Sequence, residues 1–211
     1  MPLASAIRVE EFADPLSAAM CEFGIDTPKR QAAFLAQIAH ESGSLRYVRE
    51  LASGEAYNGR VSLGNTRQEA IDIAARNNAT PGPFYKGRGL IQITGYDNYA
   101  AVSKALFMDK AVLTSNPALL ERTDLACRSA AWYWDSRSLN SLADAGDFET
   151  ITRKINGGLN GYADRVAYHQ RAIKALSVNG GGADAGAPFP PNQPKPEMPK
   201  WLHSFLQLFR R

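Results

Sequence analysis

Residues 179–199, NGGGADAGAPFPPNQPKPEMP, limit how much of this chain can fold into one packed body. Glycine and proline dominate the segment, and it has few apolar side chains to bury, so it is predicted to be a linker. Residues 1–178 are then expected to form one domain, since 211 residues with 45% hydrophobic content allow one sizeable core. Residues 200–211, KWLHSFLQLFRR, place apolar side chains at helical spacing between basic ends, which predicts a cationic amphipathic helix.

The net charge of the chain is concentrated in this C-terminal region. Four basic residues and one acidic residue follow position 187 and account for the whole net charge of +3, so the first 187 residues are neutral. The neutral first 187 residues show no excess of basic side chains that would bind nucleic acid, and no nucleic-acid partner is expected. The cationic segment 200–211 is expected either to bind an anionic envelope surface or to dock on the folded domain or an oligomer partner.

The N-terminal sequence and the cysteines bear on where the protein works. MPLASAIRVEEFADP has no basic start and no long apolar core, so no signal peptide is predicted, and no apolar run approaches the roughly 18 residues of a membrane span. Cys21 and Cys127 are too few for a secreted disulfide scaffold and are predicted to be buried free thiols. The protein is expected to stay in the cytoplasm where it is made, unless something else releases it.

Helical periodicity covers most of the predicted domain. Thr27 and Pro28 are typical of a helix start, and the apolar pattern that follows runs to Glu41. The same reading predicts helices over residues 10–23, 67–76, 96–106, 124–134, 147–155 and 163–176. LIQIT, residues 90–94, reads as a short strand, and the chain is therefore expected to be predominantly helical with a small β component.

Several chemistries are poorly supported. The three histidines, His40, His169 and His203, are scattered, and no cysteine–histidine cluster has metal-ligand spacing. No serine lies in a strained glycine elbow, and GRG at 87–89 lacks the features of a phosphate loop. Carboxylate chemistry remains, and neither a metal nor an organic cofactor is expected.

The stretch AHESGSLRYVRE carries two glutamates, Glu41 and Glu50, that suit glycoside hydrolysis if they face each other. In one continuous helix they would lie on opposite faces, but Gly43 is a plausible helix stop that lets the chain turn back. An apolar setting would keep Glu41 protonated as the acid, and Arg46 and Arg49 would keep Glu50 ionised as the base. Two ordinary surface charges are the alternative.

The second polar cluster lies in KGRGLIQITGYDNY, residues 86–99. The period of a strand would place Gln92 and Thr94 on the same side, and Asn98 and Tyr99 follow a turn at Gly95. This arrangement is typical of the wall of a sugar-binding cleft, or else of an edge strand with solvated side chains.

Four blocks, AHESG, GRGLIQITGYDNY, SAAWYWDSR and INGGLNGYADR, together resemble glycoside hydrolase family 19, which comprises plant-type chitinases and phage or prophage endolysins. The resemblance implies an α+β, predominantly helical, lysozyme-like domain with two lobes and a central cleft. It implies Glu41 as the catalytic acid, Glu50 as the base and Thr94 as the residue that holds the attacking water. Glu55 is the second candidate for the base and Glu69 the third. The other matched positions of the substrate site are His40, Gln92, Asn98, Tyr99, Asn156 and Arg165, of which Arg165 would orient and tune Glu41.

The resemblance also implies an inverting reaction, with the two carboxyls about 6.5–9.5 Å apart. Asn160 stands where many chitinases of the family have an acidic residue, which favours the endolysin branch. The expected function is therefore that of a monomeric muramidase, which cleaves β-1,4 bonds of peptidoglycan strands and lyses the host after a holin-type pore releases it. A chitinase, a lytic transglycosylase and a non-hydrolytic wall-binding protein are the alternatives.

Overall fold

The computed structural model describes residues 6–179 as α-helices joined by turns, which confirms the predominantly helical class. The ten α-helices of this part of the chain are α1 Ala6–Glu22, α2 Pro28–Glu41, α3 Gln68–Arg76, α4 Pro81–Phe84, α5 Tyr96–Phe107, α6 Ala111–Ser115, α7 Thr123–Asp135, α8 Leu139–Ala145, α9 Phe148–Asn156 and α10 Tyr162–Asn179. Short 3-10 helices occupy Glu55–Tyr57, Val61–Leu63 and Pro117–Glu121. Beyond Asn179, the predicted linker and the predicted amphipathic helix 200–211 lie outside the described residues.

The capping residues determine where the predicted helices begin and end. Thr27 accepts a hydrogen bond from the Arg30 amide at 3.3 Å, and Pro28 takes the first position of α2, as predicted. Helix α9 ends at Gly157, whose φ of 73° lies in the left-handed region that glycine adopts at little cost. The short helices α4, α6 and α8 were not predicted, because helices of one or two turns leave too little periodicity to recognise.

The predicted strand over LIQIT is wrong, because the segment turns back on itself. Arg88 and Ile93 exchange two backbone hydrogen bonds, of 3.1 and 2.8 Å, and Gln92 between them has a φ of 58°. Only isolated bridges, Arg49 to Arg88 and Arg88 to Ile93, resemble a sheet in the described part of the chain. The segment is apolar because Ile91 and Ile93 are both buried within this turn.

The described chain divides into two compact units. The first unit comprises residues 6–46 and 134–179, and the second comprises residues 47–133. Except for Asn179, the residues of both units lie within the predicted domain 1–178.

Helix α2 is the centre of the first unit. It packs mainly against α10 and also contacts α8, and every residue from Ala32 to Ala39 is buried. Phe34 of α2 meets the fully buried Trp134 edge to face, with ring centroids 5.5 Å apart. The indole nitrogen of Trp134 donates to the Asn140 side chain at 2.8 Å, which satisfies its polar atom.

The second unit is built around three tyrosine rings. Tyr85 lies 5.4 Å from Tyr96 and 5.6 Å from Tyr99, measured between ring centroids. The Tyr85 hydroxyl donates to the Thr114 carbonyl at 2.9 Å, which ties the cluster to α6. Helix α6 in turn packs on α5.

The cysteine prediction is half right. Cys127 is buried and is not in a disulfide, but Cys21 is exposed near the end of α1. Within residues 6–179, no helix has the length and apolarity to cross a bilayer, and no three His, Cys, Asp or Glu side chains group as metal ligands would.

His169 makes the stability of the first unit depend on pH. Its ring stacks on Phe148 with centroids 4.2 Å apart, and burial lowers the pKa of His169 below its ordinary value of 6.5. The unfolded chain therefore takes up a proton at a higher pH than the folded one. The stabilisation is complete above about pH 6.5 and is lost as pH falls toward the folded pKa.

We expect His169→Phe, which keeps a ring on Phe148 and removes the titration, to lose less unfolding free energy between pH 7.5 and pH 5 than the wild type. Denaturant unfolding at the two pH values measures this. An equal loss in both proteins would contradict the assignment.

Candidate active site

A left-handed turn follows Glu41 at the end of α2. Gly43, Ser44 and Leu45 have φ values of 57°, 62° and 63°, so the predicted turn at Gly43 extends over three residues. Left-handed conformations cost about 1–2 kcal/mol for each residue other than glycine. Burial of Leu45 and a 2.7 Å hydrogen bond between Ser44 and Tyr168 offset that cost. The turn therefore fixes the direction in which the chain leaves Glu41.

Arg165 holds the Glu41 carboxyl from inside the first unit. The guanidinium is 1% exposed and donates from Nη2 to Glu41 Oε1 at 2.5 Å. Its Nη1 donates to Gln37 Oε1, and its Nε lies 3.4 Å from the Asn160 carbonyl. Arg165 thus makes the contact with Glu41 that the resemblance implies, whereas Asn160 contributes only its backbone.

The half-buried Glu41 is therefore not in the apolar setting predicted from its helix, because a guanidinium bonds to it directly. The apolar pattern of one helix could not show this contact, which only the family resemblance implied.

His40 and Asn156 lie beside this pair. His40 Nδ1 donates to Asp164 at 2.7 Å, and a Cβ built on Gly161 would overlap the imidazole ring. Gly161, with a φ of 69°, is therefore required both for space and for backbone conformation. The Asn156 side chain reaches the Asn160 carbonyl at 3.4 Å, so these predicted site residues gather around the loop that precedes α10.

Glu50 lies in the second unit against the strand-like backbone of the GRG motif. Its amide donates to the Gly87 carbonyl at 2.9 Å, and its Oε2 accepts from the Gly87 amide at 3.1 Å. Its Oε1 accepts from the Tyr57 hydroxyl at 2.9 Å. Burial, with help from the bond to Glu50, raises the pKa of Tyr57, so the hydroxyl remains a donor. Both carboxylate oxygens are thus held by neutral groups.

The predicted influence of Arg46 and Arg49 on the ionisation of Glu50 stays a prediction. Arg49 pairs with Glu121 at 3.7 Å, and the two side-chain oxygens of Glu50 accept from Tyr57 and Gly87. Adjacent positions in an extended segment point to opposite sides, which explains why Arg49 and Glu50 have different partners.

Gly87 is the point on which the predicted polar residues of the second unit converge. A Cβ built on it would lie 2.7 Å from Gln92 Oε1 and 3.3 Å from both Glu50 Oε2 and Thr94 Oγ1. The side chains of Gln92 and Thr94 are half-buried and are held by the backbone of the turn, through Gly89 O and Gln92 O respectively. The predicted pairing of Gln92 with Thr94 is present, but the turn produces it and not a strand.

Arg88 is the buried side chain that anchors this loop. It is 8% exposed, donates to Glu121 at 2.9 Å and to the Phe84 carbonyl at 2.9 Å, and also reaches the Tyr99 hydroxyl at 3.1 Å. Tyr99 is fully buried and donates to the Lys86 carbonyl at 2.8 Å. The predicted contact of Tyr99 with substrate is therefore wrong, because its side chain belongs to the interior of the unit.

Of the remaining predicted positions, only Asn98 stays with the cluster. It is exposed and donates to the Thr94 carbonyl at 2.7 Å. Glu55 accepts from Asn58 at 2.6 Å, and Glu69 pairs with Lys110 at 2.8 Å. Neither glutamate is among the side chains that surround Gly87, and this separates both from Glu50 as candidates for the base.

Comparison with known proteins places the chain in a family, although no family model matches it. It is 33% identical over 175 residues to the glycosyl hydrolase family 19 domain-containing protein of Haemophilus influenzae, a match that covers 74% of this chain and 84% of that protein. The chain belongs to glycosyl hydrolase family 19. It is accordingly a glycoside hydrolase.

Two further family 19 comparisons agree with this membership. An endochitinase of Arabidopsis thaliana is 34% identical over 156 residues, which cover 71% of this chain but only about half, 49%, of the plant protein. The crystal structure of chitinase C from Streptomyces griseus matches with a TM-score of 0.64 at 23% identity, over 83% of this chain and 92% of that chain. At that identity the structural match establishes the lysozyme-like helical fold alone.

Sequence reasoning missed five residues that organise the site, namely Gln37, Tyr57, Gly87, Thr152 and Asp164. Signals existed for three of them. Gln37 is four residues before Glu41, so the two share a helix face. Gly87 opens the matched block GRGLIQITGYDNY, and Asp164 is next to Arg165 in another matched block. No local pattern marked Tyr57 or Thr152, whose roles depend on contacts with residues elsewhere in their units.

We expect Gly87→Ala to lower kcat/KM roughly 10²-fold, because the added methyl group displaces Gln92 and crowds Glu50 and Thr94. The fold should survive, since the φ of Gly87 is outside the left-handed region and the closest atom ends a flexible side chain. Glycan turnover and thermal melting measure the two effects.

Gly59→Ala is the matched control in the same unit, because a Cβ there meets nothing within 4 Å. Equal activity of the two variants would show that the space beside Gly87 does not matter.

Proposed function

We propose that this family 19 enzyme hydrolyses β-1,4 bonds in a polymer of N-acetylated sugars, with Glu41 as general acid and Glu50 as general base. The observation that supports this most strongly is the different setting of the two carboxyls. Glu41 is bonded to a buried guanidinium, and Glu50 is bonded to neutral donors beside Thr94 and Gln92. The inverting form of the reaction requires about 6.5–9.5 Å between the carboxyls, and that spacing stays a prediction.

The contact with Arg165 suits Glu41 as an acid. A protonated carboxyl keeps a carbonyl oxygen that accepts from Arg165, and its hydroxyl is then free to donate to the leaving oxygen of the glycosidic bond. Once the proton has left, the same guanidinium stabilises the carboxylate by charge. Arg165 therefore stabilises the ionised Glu41 that results from the proton transfer.

The surroundings of Glu50 suit a base. Tyr57 and Gly87 donate to its two oxygens and fix the carboxylate without neutralising its charge. The side-chain oxygens of Thr94 and Gln92 lie within reach of the same space, where they are placed to orient a water. A water held there would lose its proton to Glu50 as it attacks the sugar.

The substrate we propose is peptidoglycan, cleaved between N-acetylmuramic acid and N-acetylglucosamine as by an endolysin. Asn160 supports this substrate. Arg165 donates to the backbone carbonyl of Asn160, whereas many chitinases of the family have a carboxylate side chain at this position. Neither Cys21 nor Cys127 is in a disulfide, unlike the cysteines of the disulfide-bonded plant enzymes. Chitin is the second candidate, because the Arabidopsis relative is named an endochitinase and the Streptomyces structure a chitinase.

Digestion of purified peptidoglycan and of chitin oligomers by wild type and Glu41→Gln decides between these substrates. We expect new reducing N-acetylmuramic acid ends by mass spectrometry, and a loss of about 10²–10⁴-fold in the variant, which has no acidic proton to donate. Cleavage of chitin alone would replace the proposal with a chitinase, and anhydro ends would indicate a transglycosylase. No cleavage of either polymer would indicate a binding protein.

Glu50→Gln and Glu55→Gln form a matched pair that tests the base. Both remove one negative charge from the same unit, but only Glu50 adjoins Gly87, Gln92 and Thr94. We expect kcat to fall about 10²-fold or more in Glu50→Gln and to change little in Glu55→Gln. The reverse pattern would make Glu55 the base.

The endolysin proposal extends to location and to the C-terminal segment. The enzyme would wait in the host cytoplasm until a holin-type pore admits it to the wall, and the basic, apolar residues 200–211 would bind the anionic envelope. Removal of residues 188–211 should then reduce lysis of intact Gram-negative cells while digestion of purified peptidoglycan is unchanged. Undiminished lysis of intact cells would exclude the role of the segment.

A further inference from the structure

We propose that Gln37 and Thr152 form a positioning relay that holds Arg165 against Glu41. The inference rests on the proposed role of Glu41 as the acid, and it extends the machinery of that reaction to two fully buried residues. All the contacts that carry it lie within the first unit, between α2, α9 and α10.

A buried guanidinium needs hydrogen-bond acceptors inside the protein, and this need is the basis of the relay. Arg165 is 1% exposed, so each of its N–H groups needs a partner inside the protein. Nη2 uses Glu41, and Nη1 uses the side-chain oxygen of Gln37. Without the Gln37 contact, a donor beside the acid would be buried and unsatisfied.

Thr152 determines which end of the Gln37 amide faces Arg165. The Thr152 hydroxyl donates to the Phe148 carbonyl at 3.0 Å, so its oxygen is free to accept from Gln37 Nε2 at 2.8 Å. With the amide nitrogen engaged there, Gln37 Oε1 is directed at Arg165. A flipped amide would point N–H groups at the guanidinium and repel it.

Because Gln37 is neutral, it does not compete with Glu41 as a charged partner of Arg165. Gln37 and the Asn160 carbonyl accept from the guanidinium without negative charge, so Glu41 is the carboxylate that it bonds. The attraction is strongest when Glu41 is ionised, which is the state that develops as its proton moves to the leaving oxygen. A misplaced Arg165 would therefore slow the chemical step more than it weakens substrate binding.

The test compares Thr152→Val with Thr152→Ser on the full chain, using the glycan that the wild type cleaves. Valine keeps the shape and removes the hydroxyl, whereas serine keeps the hydroxyl and removes a methyl group. We expect roughly a tenfold lower kcat with little change in KM for Thr152→Val, and kcat within about twofold of the wild type for Thr152→Ser. Gln37→Met removes the acceptor directly and should reproduce the loss in Thr152→Val.

Thermal melting of each variant, with assays well below every transition, separates positioning from stability. Wild-type kcat in Thr152→Val and Gln37→Met would overturn the relay, and so would equal losses in the serine and valine variants, which would show an effect of packing. Glu41→Gln in the same assay distinguishes failure of the relay from failure of the proposed acid. If Glu41→Gln is inactive while Thr152→Val is fully active, only the relay fails. If Glu41→Gln is active, the proposed acid and the relay fail together.

Discussion

The constraint on which most of the candidate site depends is the burial of two arginines. Among residues 6–179, the charged side chains that are buried are Arg88 and Arg165, one in each unit. An unpaired buried charge is strongly destabilising, so the surrounding chain must supply acceptors for both guanidinium groups. Those acceptors include the groups that set the geometry around each proposed catalytic carboxyl.

The two arginines act in different ways. Arg165 bonds to Glu41 through one nitrogen, and its other two nitrogens donate to Gln37 and to the Asn160 carbonyl in the loop before α10. Arg88 acts on Glu50 through the backbone. It binds the Phe84 carbonyl, Glu121 and Tyr99, which fixes the backbone on either side of Gly87, and Gly87 then holds Glu50. One carboxyl therefore has a cation as its partner and the other has neutral donors, so the two carboxyls differ in their electrostatic surroundings.

Much of the fold could be predicted from the sequence, because helix caps and helical periodicity are local signals. Thr27 and Pro28 begin their helix as predicted. The LIQIT strand could not be predicted correctly, because its apolar residues are buried by a turn that two backbone hydrogen bonds close. Short apolar runs do not distinguish strand, helix and turn unless the partner segment is known.

The site residues were found by their motifs, but their surroundings were not. Arg165 was expected to orient Glu41, and the contact is present, yet the setting of Glu41 was misjudged because its neighbours come from another helix. Tyr99 is adjacent in sequence to the exposed Asn98 but points into the core, since neighbouring helical positions face different sides. Sequence spacing thus identified the candidates, whereas packing decides which of them can reach a substrate.

The stereochemistry of the first product tests the acid–base pair most directly. Proton NMR can follow the anomeric configuration of the newly formed reducing end during the first minutes of hydrolysis, on whichever β-linked glycan the enzyme cleaves, before mutarotation mixes the two forms. If Glu50 activates a water that attacks opposite the leaving group protonated by Glu41, the α-anomer appears first. Initial appearance of the β-anomer would mean retention through a covalent or otherwise shielded intermediate, and would contradict the role of Glu50 as a base.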